Sequence, residues 1–117
     1  MLPLPLLGIY SLAHLWVDLS CALLLFRTLF GESDWMLCVL LYNFCAFALQ
    51  MPLGAVADRL NRNGLLAASG CLLVAAACLS PWGMLTAVAA GVGNALFHLG
   101  GGVDVLNCSE KRCAALG

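Results

Sequence analysis

The sequence has few charged side chains for its length. Of its 117 residues, five are Lys or Arg and six are Asp or Glu, so only 9% are charged. A soluble domain carries about 25% charged residues, because its surface must be hydrated. The shortage of charge therefore argues against a water-soluble domain. The formal net charge of −1 likewise argues against a basic surface that would bind nucleic acid.

The sequence also lacks the cysteine spacings that are typical of zinc-binding or redox proteins. Its seven cysteines are an odd number, and no two of them form a C-x-x-C pair. Most lie inside apolar runs, where a thiol behaves as a small packing side chain. No nucleophile–base pair or paired acidic motif suggests catalysis. We therefore predict neither an enzyme nor a protein with a cofactor.

Apolar side chains, in contrast, make up 63% of the residues. A helix needs about 20 mainly apolar residues to cross roughly 30 Å of hydrocarbon. The uncharged run from Gly64 to Val103 is too long for one span, and a Ser-Pro-Trp-Gly break at 80–83 divides it. The sequence predicts an all-α integral membrane protein with four transmembrane helices. The predicted spans are about 4–30, 35–57, 64–79 and 84–106, with a cytoplasmic link at 58–63 and a cytoplasmic tail at 107–117.

Basic residues outside the predicted spans indicate the orientation, since they collect on the cytoplasmic side. Arg59 and Arg62 lie in the second link, and Lys111 and Arg112 lie in the tail, whereas the first link contains Glu32. Both chain ends are therefore expected in the cytoplasm and the first link outside. We predict a multi-pass protein of the bacterial cytoplasmic membrane.

Four polar residues inside spans one and four are the candidate site residues. Asp18 lies near the middle of span one, where an aspartate costs about 2.5–3.5 kcal/mol to insert, and His14 lies one turn earlier on the same face. Either this face lines a transport pathway, or His14 simply masks Asp18. Asn94 and His98 have the same spacing in span four and either line a cavity or bond between helices. A metal site of His14, Asp18 and His98 is conceivable, but the spacing does not require one and none is predicted.

Rows of small or polar residues at helical spacing predict contacts between helices. They are Asn43, Phe47, Gln50 and Gly54 in span two, Ala67, Cys71 and Ala75 in span three, and Ala87, Gly91 and Ala95 in span four. Three consecutive glycines at 100–102 weaken span four and permit another backbone or a substrate to come close.

The link between spans two and three carries the most specific motif. Residues 54–63 read GAVADRLNRN, which resembles the G-x-x-[AS]-D-R-x-[GN]-R-[KR] motif of the major facilitator superfamily at the same place in the topology. Asn61 stands where glycine is frequent, and asparagine also tolerates a left-handed backbone. Asn63 stands where a second basic residue is usual. The tail sequence EKRCAALG, residues 110–117, and GNALFH, residues 93–98, are also similar to segments of this superfamily.

The resemblance covers nearly the whole chain but only the first four of the usual twelve spans, so it implies an N-terminal fragment. It implies that spans one and four line the central cavity, with His14 and Asp18 opposite Asn94 and His98 as contacts for substrate or coupling ion. It also implies a cytoplasmic charge network that favours the outward-facing state. The residues expected to form this motif and network are Gly54, Asp58, Arg59, Arg62, Glu110 and Arg112.

The resemblance further implies transport of a small solute by alternating access, coupled to protons or sodium. The expected partners are then the lipid bilayer, the solute and the remaining transporter helices. The main rival hypothesis is a complete four-span exporter of the small multidrug resistance family, which acts as a dimer with an acidic residue in its first span. The DR-x-x-R link and the triple glycine count against it. Two further hypotheses are a non-transport membrane subunit or assembly protein, and a truncated inactive gene product.

Overall fold

The structure is a computed structural model that describes residues 4–108. The helices are α1 (Leu4–Leu23), continued by a π-helical turn (Leu24–Thr28) and a 3-10 turn (Leu29–Gly31), α2 (Trp35–Asn43), a second π-helical turn (Phe44–Ala48), α3 (Gln50–Leu60), α4 (Asn63–Leu79) and α5 (Gly83–Cys108). No strand occurs within these residues, and the prediction of an all-α chain is confirmed.

Two helical segments, Pro5–Gly31 and Gly83–Asn107, are long and apolar enough to cross a membrane. The segments Trp35–Ala48 and Gln50–Leu60 are bent by 40° relative to each other. They make a third crossing segment if together they form one broken span. The α4 helix is apolar but has only 17 residues, which reach about 26 Å at a rise of about 1.5 Å per residue. The architecture is therefore compatible with a membrane protein that has two to three crossing segments.

A π-helical turn changes which residues of span two share a face. Each π turn contains an extra residue, so the spacing of three and four residues no longer holds across it. Asn43 is exposed and its amide donates to the Val39 carbonyl of its own helix at 2.8 Å, while Phe47 is 64% exposed. The amide of Gln50 likewise donates to the Ala46 carbonyl at 2.7 Å. Within residues 4–108, Asn43 and Phe47 therefore do not form the predicted contact row.

The α5 helix occupies the centre of the fold and contacts every other helix. Its row of small residues is buried: Ala87 and Ala95 are fully inaccessible, and Gly91 lies against the α2 backbone, where an added Cβ would come 2.7 Å from the Tyr42 carbonyl oxygen. The predicted packing row of span four is confirmed. The helix also continues without interruption through the three glycines at 100–102.

The backbones of α4 and α5 touch. A Cβ added at Gly70 would lie 2.5 Å from the Phe97 amide nitrogen and 2.6 Å from the Gly93 carbonyl oxygen. A Cβ at Gly100 would clash with the Asn63 carbonyl oxygen, so one of the three glycines does admit another backbone. Within a bilayer, close packing of small residues supplies much of the attraction between helices.

The contact face of α4 differs from the predicted one. Ala67 is buried, but Ala75 is exposed and Cys71 is only partly buried. The buried residues of this helix are Ala67, Gly70, Val74 and Ala77. Their alternating spacing of three and four residues follows the line along which α5 crosses the helix, as in other pairs of closely packed helices. Cys71 still packs against the core from its partly buried position, so within residues 4–108 the predicted row of residues four apart is wrong only at Ala75.

The glycine contact predicts different effects for two alanine substitutions on α4. Gly70→Ala forces the helices apart and should lower the free energy of unfolding by about 1–3 kcal/mol, the usual cost of overpacking. Gly64→Ala, with nothing within 4 Å of the added Cβ, should be neutral or stabilising because alanine favours the helix. Unfolding of the micelle-bound chain by sodium dodecyl sulfate, followed by circular dichroism, measures both. Equal effects would contradict the backbone contact.

Candidate functional site

A cluster of two histidines around one aspartate lies between α1 and α5. The Nε2 atom of His14 lies 3.0 Å from Asp18 Oδ2, and the Nε2 atom of His98 lies 3.2 Å from Asp18 Oδ1. Each carboxylate oxygen therefore has its own imidazole partner. We name His14, Asp18 and His98 the His–Asp–His cluster.

The local helix geometry and the packing of α1 on α5 explain why these side chains meet. His14 and Asp18 are four residues apart on α1, so they face the same way. One turn further along, Cys21 is only 2% exposed and its thiol lies 4.0 Å from the Ala90 carbonyl oxygen of α5. This close approach of the two helices brings His98 against the carboxylate of Asp18.

Asn94 completes the site from α5. Its amide nitrogen lies 3.5 Å from Asp18 Oδ1 and 3.8 Å from the Cys21 sulfur, and the residue is only 5% exposed. The structure thus brings together all four side chains that the sequence singled out in spans one and four. It also shows that the contact of His14 with Asp18 is one part of an arrangement that joins two helices.

The His–Asp–His cluster is enclosed on one side only. The exposed fractions of the side chains are 51% for Asp18, 39% for His14 and 32% for His98. An acidic side chain with one open side is costly against lipid hydrocarbon, so in a membrane such a group faces a cavity, water or another helix. The open side of the cluster is therefore where a ligand or a further helix would contact it.

Aromatic packing fixes the two imidazole rings. The rings of His14 and His98 pack edge to face, with centroids 4.8 Å apart. The buried ring of Phe97 lies 6.2 Å from the His14 ring and 5.6 Å from the His98 ring. One ring nitrogen from each histidine and a carboxylate oxygen of Asp18 all lie within 4.8 Å of one another. This donor set can exchange hydrogen bonds or hold a cation.

A second polar cluster, which the sequence did not reveal, surrounds Asp104 on α5. The Tyr10 hydroxyl on α1 donates to Asp104 Oδ2 at 2.6 Å, and the Asn63 amide on α4 donates to Oδ1 at 2.9 Å. Three helices are joined at this point. A signal was present, since Asp104 is an acidic residue near the end of an apolar helix and Tyr10 lies on the face of α1 that also carries His14.

The charged residues of the link motif lie on the surface. Asn61 ends α3 in the left-handed conformation with φ 47° and ψ 42°, which explains how asparagine serves at a position where glycine is frequent. Asp58, Arg59 and Arg62 are exposed, and none of them forms an ion pair with another residue of the range 4–108.

Of the three remaining residues of the motif and the charge network, the structure describes only Gly54. Gly54 faces α5, since a Cβ there would lie 3.6 Å from Leu99 Cδ2. Glu110 and Arg112 lie outside the described residues, as does the rest of the tail from residue 109. The charge network that would join them to the link stays a prediction.

The Asp104 cluster predicts energetic coupling between α1 and α5. Tyr10→Phe removes the hydroxyl that donates to Asp104 and should lower the free energy of unfolding by about 1.5–3 kcal/mol, the range for hydrogen bonds to charged groups. In an Asp104→Leu background the same substitution should cost far less, and a double-mutant cycle measures the difference. Ser69→Ala is the control, since this hydroxyl donates only to the Leu66 carbonyl of its own helix. Strictly additive effects would contradict the contact.

Comparison with known proteins does not indicate a function. The chain matches no protein-family model, no curated protein and no solved structure.

Proposed function

We propose that this chain supplies four membrane-spanning helices of a secondary transporter of the major facilitator type, and that the His–Asp–His cluster contacts its solute or coupling ion. The observation that carries the proposal is the position of the Asp18 side chain, together with its contacts and its exposure. Its carboxylate lies in the middle of the first apolar segment, Pro5–Gly31. It contacts histidines from two helices, and its side chain is still 51% exposed. Ionisable groups at membrane depth are costly, and those that have a pathway to serve are the usual exceptions.

The proposed four spans are α1 with its continuation to Gly31, the broken pair α2–α3, α4 and α5. The short α4 helix would be accommodated by local thinning of the bilayer, at a cost of a fraction of a kcal/mol per Å of mismatch. The contacts of Asp104 with Tyr10 and Asn63 support the orientation. They bring the beginning of α1, the beginning of α4 and the end of α5 to one side, where the link arginines place the cytoplasm.

The transport mechanism would be alternating access, in which two halves of the protein rock around a central site. In this proposal α1 and α5 line the cavity, and the open side of the His–Asp–His cluster faces it. The exposed Asp58 and Arg59 of the link remain available for helices that are not part of this chain. Coupling to protons or sodium would act through Asp18, and the setting would be a bacterial cytoplasmic membrane.

The half-open carboxylate on the first helix also suits a second candidate, a dimeric four-helix exporter like those of the small multidrug resistance family. A second copy of the chain would then cover Asp18. The coding DNA beyond the Gly117 codon and the oligomeric state in detergent distinguish the two. We expect an in-frame continuation into further apolar spans. A stop codon, together with dimers that crosslink through α1, would instead favour the small exporter.

The role of Asp18 predicts the effect of an isosteric substitution. In proteoliposomes that contain the complete transporter, a panel of labelled solutes first identifies the one that accumulates under an imposed proton or sodium gradient. Asp18→Asn should reduce this uptake to the level of protein-free liposomes, because the amide removes the charge while keeping the shape. Asn43→Ala, which alters an exposed polar residue with a bond only to its own helix, should leave uptake intact. Unchanged gradient-driven uptake by Asp18→Asn would rule out the coupling role.

A further inference from the structure

We propose that the His–Asp–His cluster binds a divalent transition-metal ion of the zinc class. Two imidazole nitrogens and one carboxylate form a donor set that suits zinc and its neighbours, which accept nitrogen and oxygen ligands. The three ligand atoms come from His14, Asp18 and His98 and lie within 4.8 Å of one another. Binding as such is a property of these side chains, whereas a role as transported or coupling cation rests on the proposed function.

The two carboxylate–imidazole distances, each to a different oxygen of Asp18, are close to those of a filled site. With metal–ligand bonds of about 2.0–2.1 Å, two ligands of a tetrahedral zinc ion lie about 3.3 Å apart. The observed separations from the Asp18 oxygens are 3.0 Å to His14 Nε2 and 3.2 Å to His98 Nε2. A metal ion would take the place of the hydrogens now shared between the carboxylate and the two imidazoles. All three ligand atoms lie within 4.8 Å of one another, so binding requires side-chain rotations that bring the three donors closer to one point.

The surroundings of the cluster would hold the ligands and leave room for exchange. The Asn94 amide, 3.5 Å from Asp18 Oδ1, would orient the carboxylate from outside the coordination sphere, as such groups commonly do. The packing of Phe97 against both imidazoles restricts the rings. The open side leaves a fourth coordination position for water or a solute. Three protein ligands and one open position characterise sites where the ion's ligand exchanges, unlike closed structural sites.

Comparison with the other membrane carboxylate supports a cation at Asp18. Asp104 accepts hydrogen bonds from Tyr10 and Asn63, one on each oxygen, and neither donor is a metal ligand of the zinc class. Asp18 is surrounded by two imidazoles, which both bind zinc when neutral. The same side chain in the same fold therefore has a metal-binding environment at one position and a purely hydrogen-bonding environment at the other.

Cobalt(II) is the probe for the test, because its visible absorption reports the number and type of its ligands. We expect the purified full chain in detergent to bind one cobalt ion with a spectrum of nitrogen and oxygen ligands, and zinc to displace it. Asp18→Asn and His98→Gln should each weaken binding by about tenfold or more, since ligand loss costs at least as much as loss of a supporting group. Asp18→Glu, which keeps a carboxylate, should retain most of the affinity.

Two matched controls separate the site from the rest of the chain. Asp104→Asn removes the carboxylate of α5, and Cys78→Ser removes an exposed thiol; both should bind cobalt like the unaltered chain. Circular dichroism checks that every variant keeps its helices. Equal affinity in the unaltered chain, Asp18→Asn and His98→Gln would overturn the proposal. So would thiolate charge-transfer bands that disappear in Cys78→Ser, because they would assign the metal to cysteine.

The cobalt-binding and uptake experiments can contradict the metal site and the proposed transport function separately. Cobalt binding that depends on Asp18 and His98, without any gradient-driven uptake, would support the site and contradict the transport function. Uptake that requires Asp18, without cobalt binding by the cluster, would overturn the metal site and leave the transport function standing.

Discussion

The backbone contact between α4 and α5 is the constraint on which the rest of the fold depends. Lipid chains are as apolar as leucine, so burial of leucine side chains gives little attraction between helices in a bilayer. Gly70 and Gly93 permit the two backbones to touch instead. This contact places α5 at the centre of the described residues, with its other faces turned to α1 and α2. Both polar clusters are built on this central helix, because His98 and Asp104 of α5 each contact a side chain of α1.

The carboxylates of Asp18 and Asp104, both on long apolar helices, have different surroundings. Each carboxylate oxygen of Asp104 accepts a hydrogen bond from a different helix, so this side chain joins three helices. Asp18 also receives a partner on each oxygen, but half of its side chain remains open. Asp104 is less exposed, with intermediate burial. The greater exposure of Asp18 therefore distinguishes the candidate site from the three-helix contact of Asp104.

The sequence predicted what depends on a single helix and missed what depends on how helices cross. The four-residue spacing was enough to place His14 beside Asp18 and Asn94 beside His98. Their meeting across α1 and α5 followed only from the family resemblance, since no single-helix pattern specifies it. The row through Asn43 failed because a π-helical turn interrupts the periodicity, and the row through Ala75 failed because the crossing of α5 selects the contact face. The partners of Asp104 come from two other helices, α1 and α4, so no pattern within one helix could identify them.

The His–Asp–His cluster and the Asp104 cluster both join α1 to α5. Tyr10, His14 and Asp18 follow one another at four-residue spacing along α1, and their partners Asp104 and His98 both lie on α5. A displacement of α1 along α5 must therefore change the contacts at both clusters together. Asn63, the first residue of α4, adds this helix to the same connection through its bond to Asp104. A ligand that tightens the His–Asp–His cluster would consequently alter the contacts of Asp104 with α1 and α4 as well, which couples the two clusters energetically.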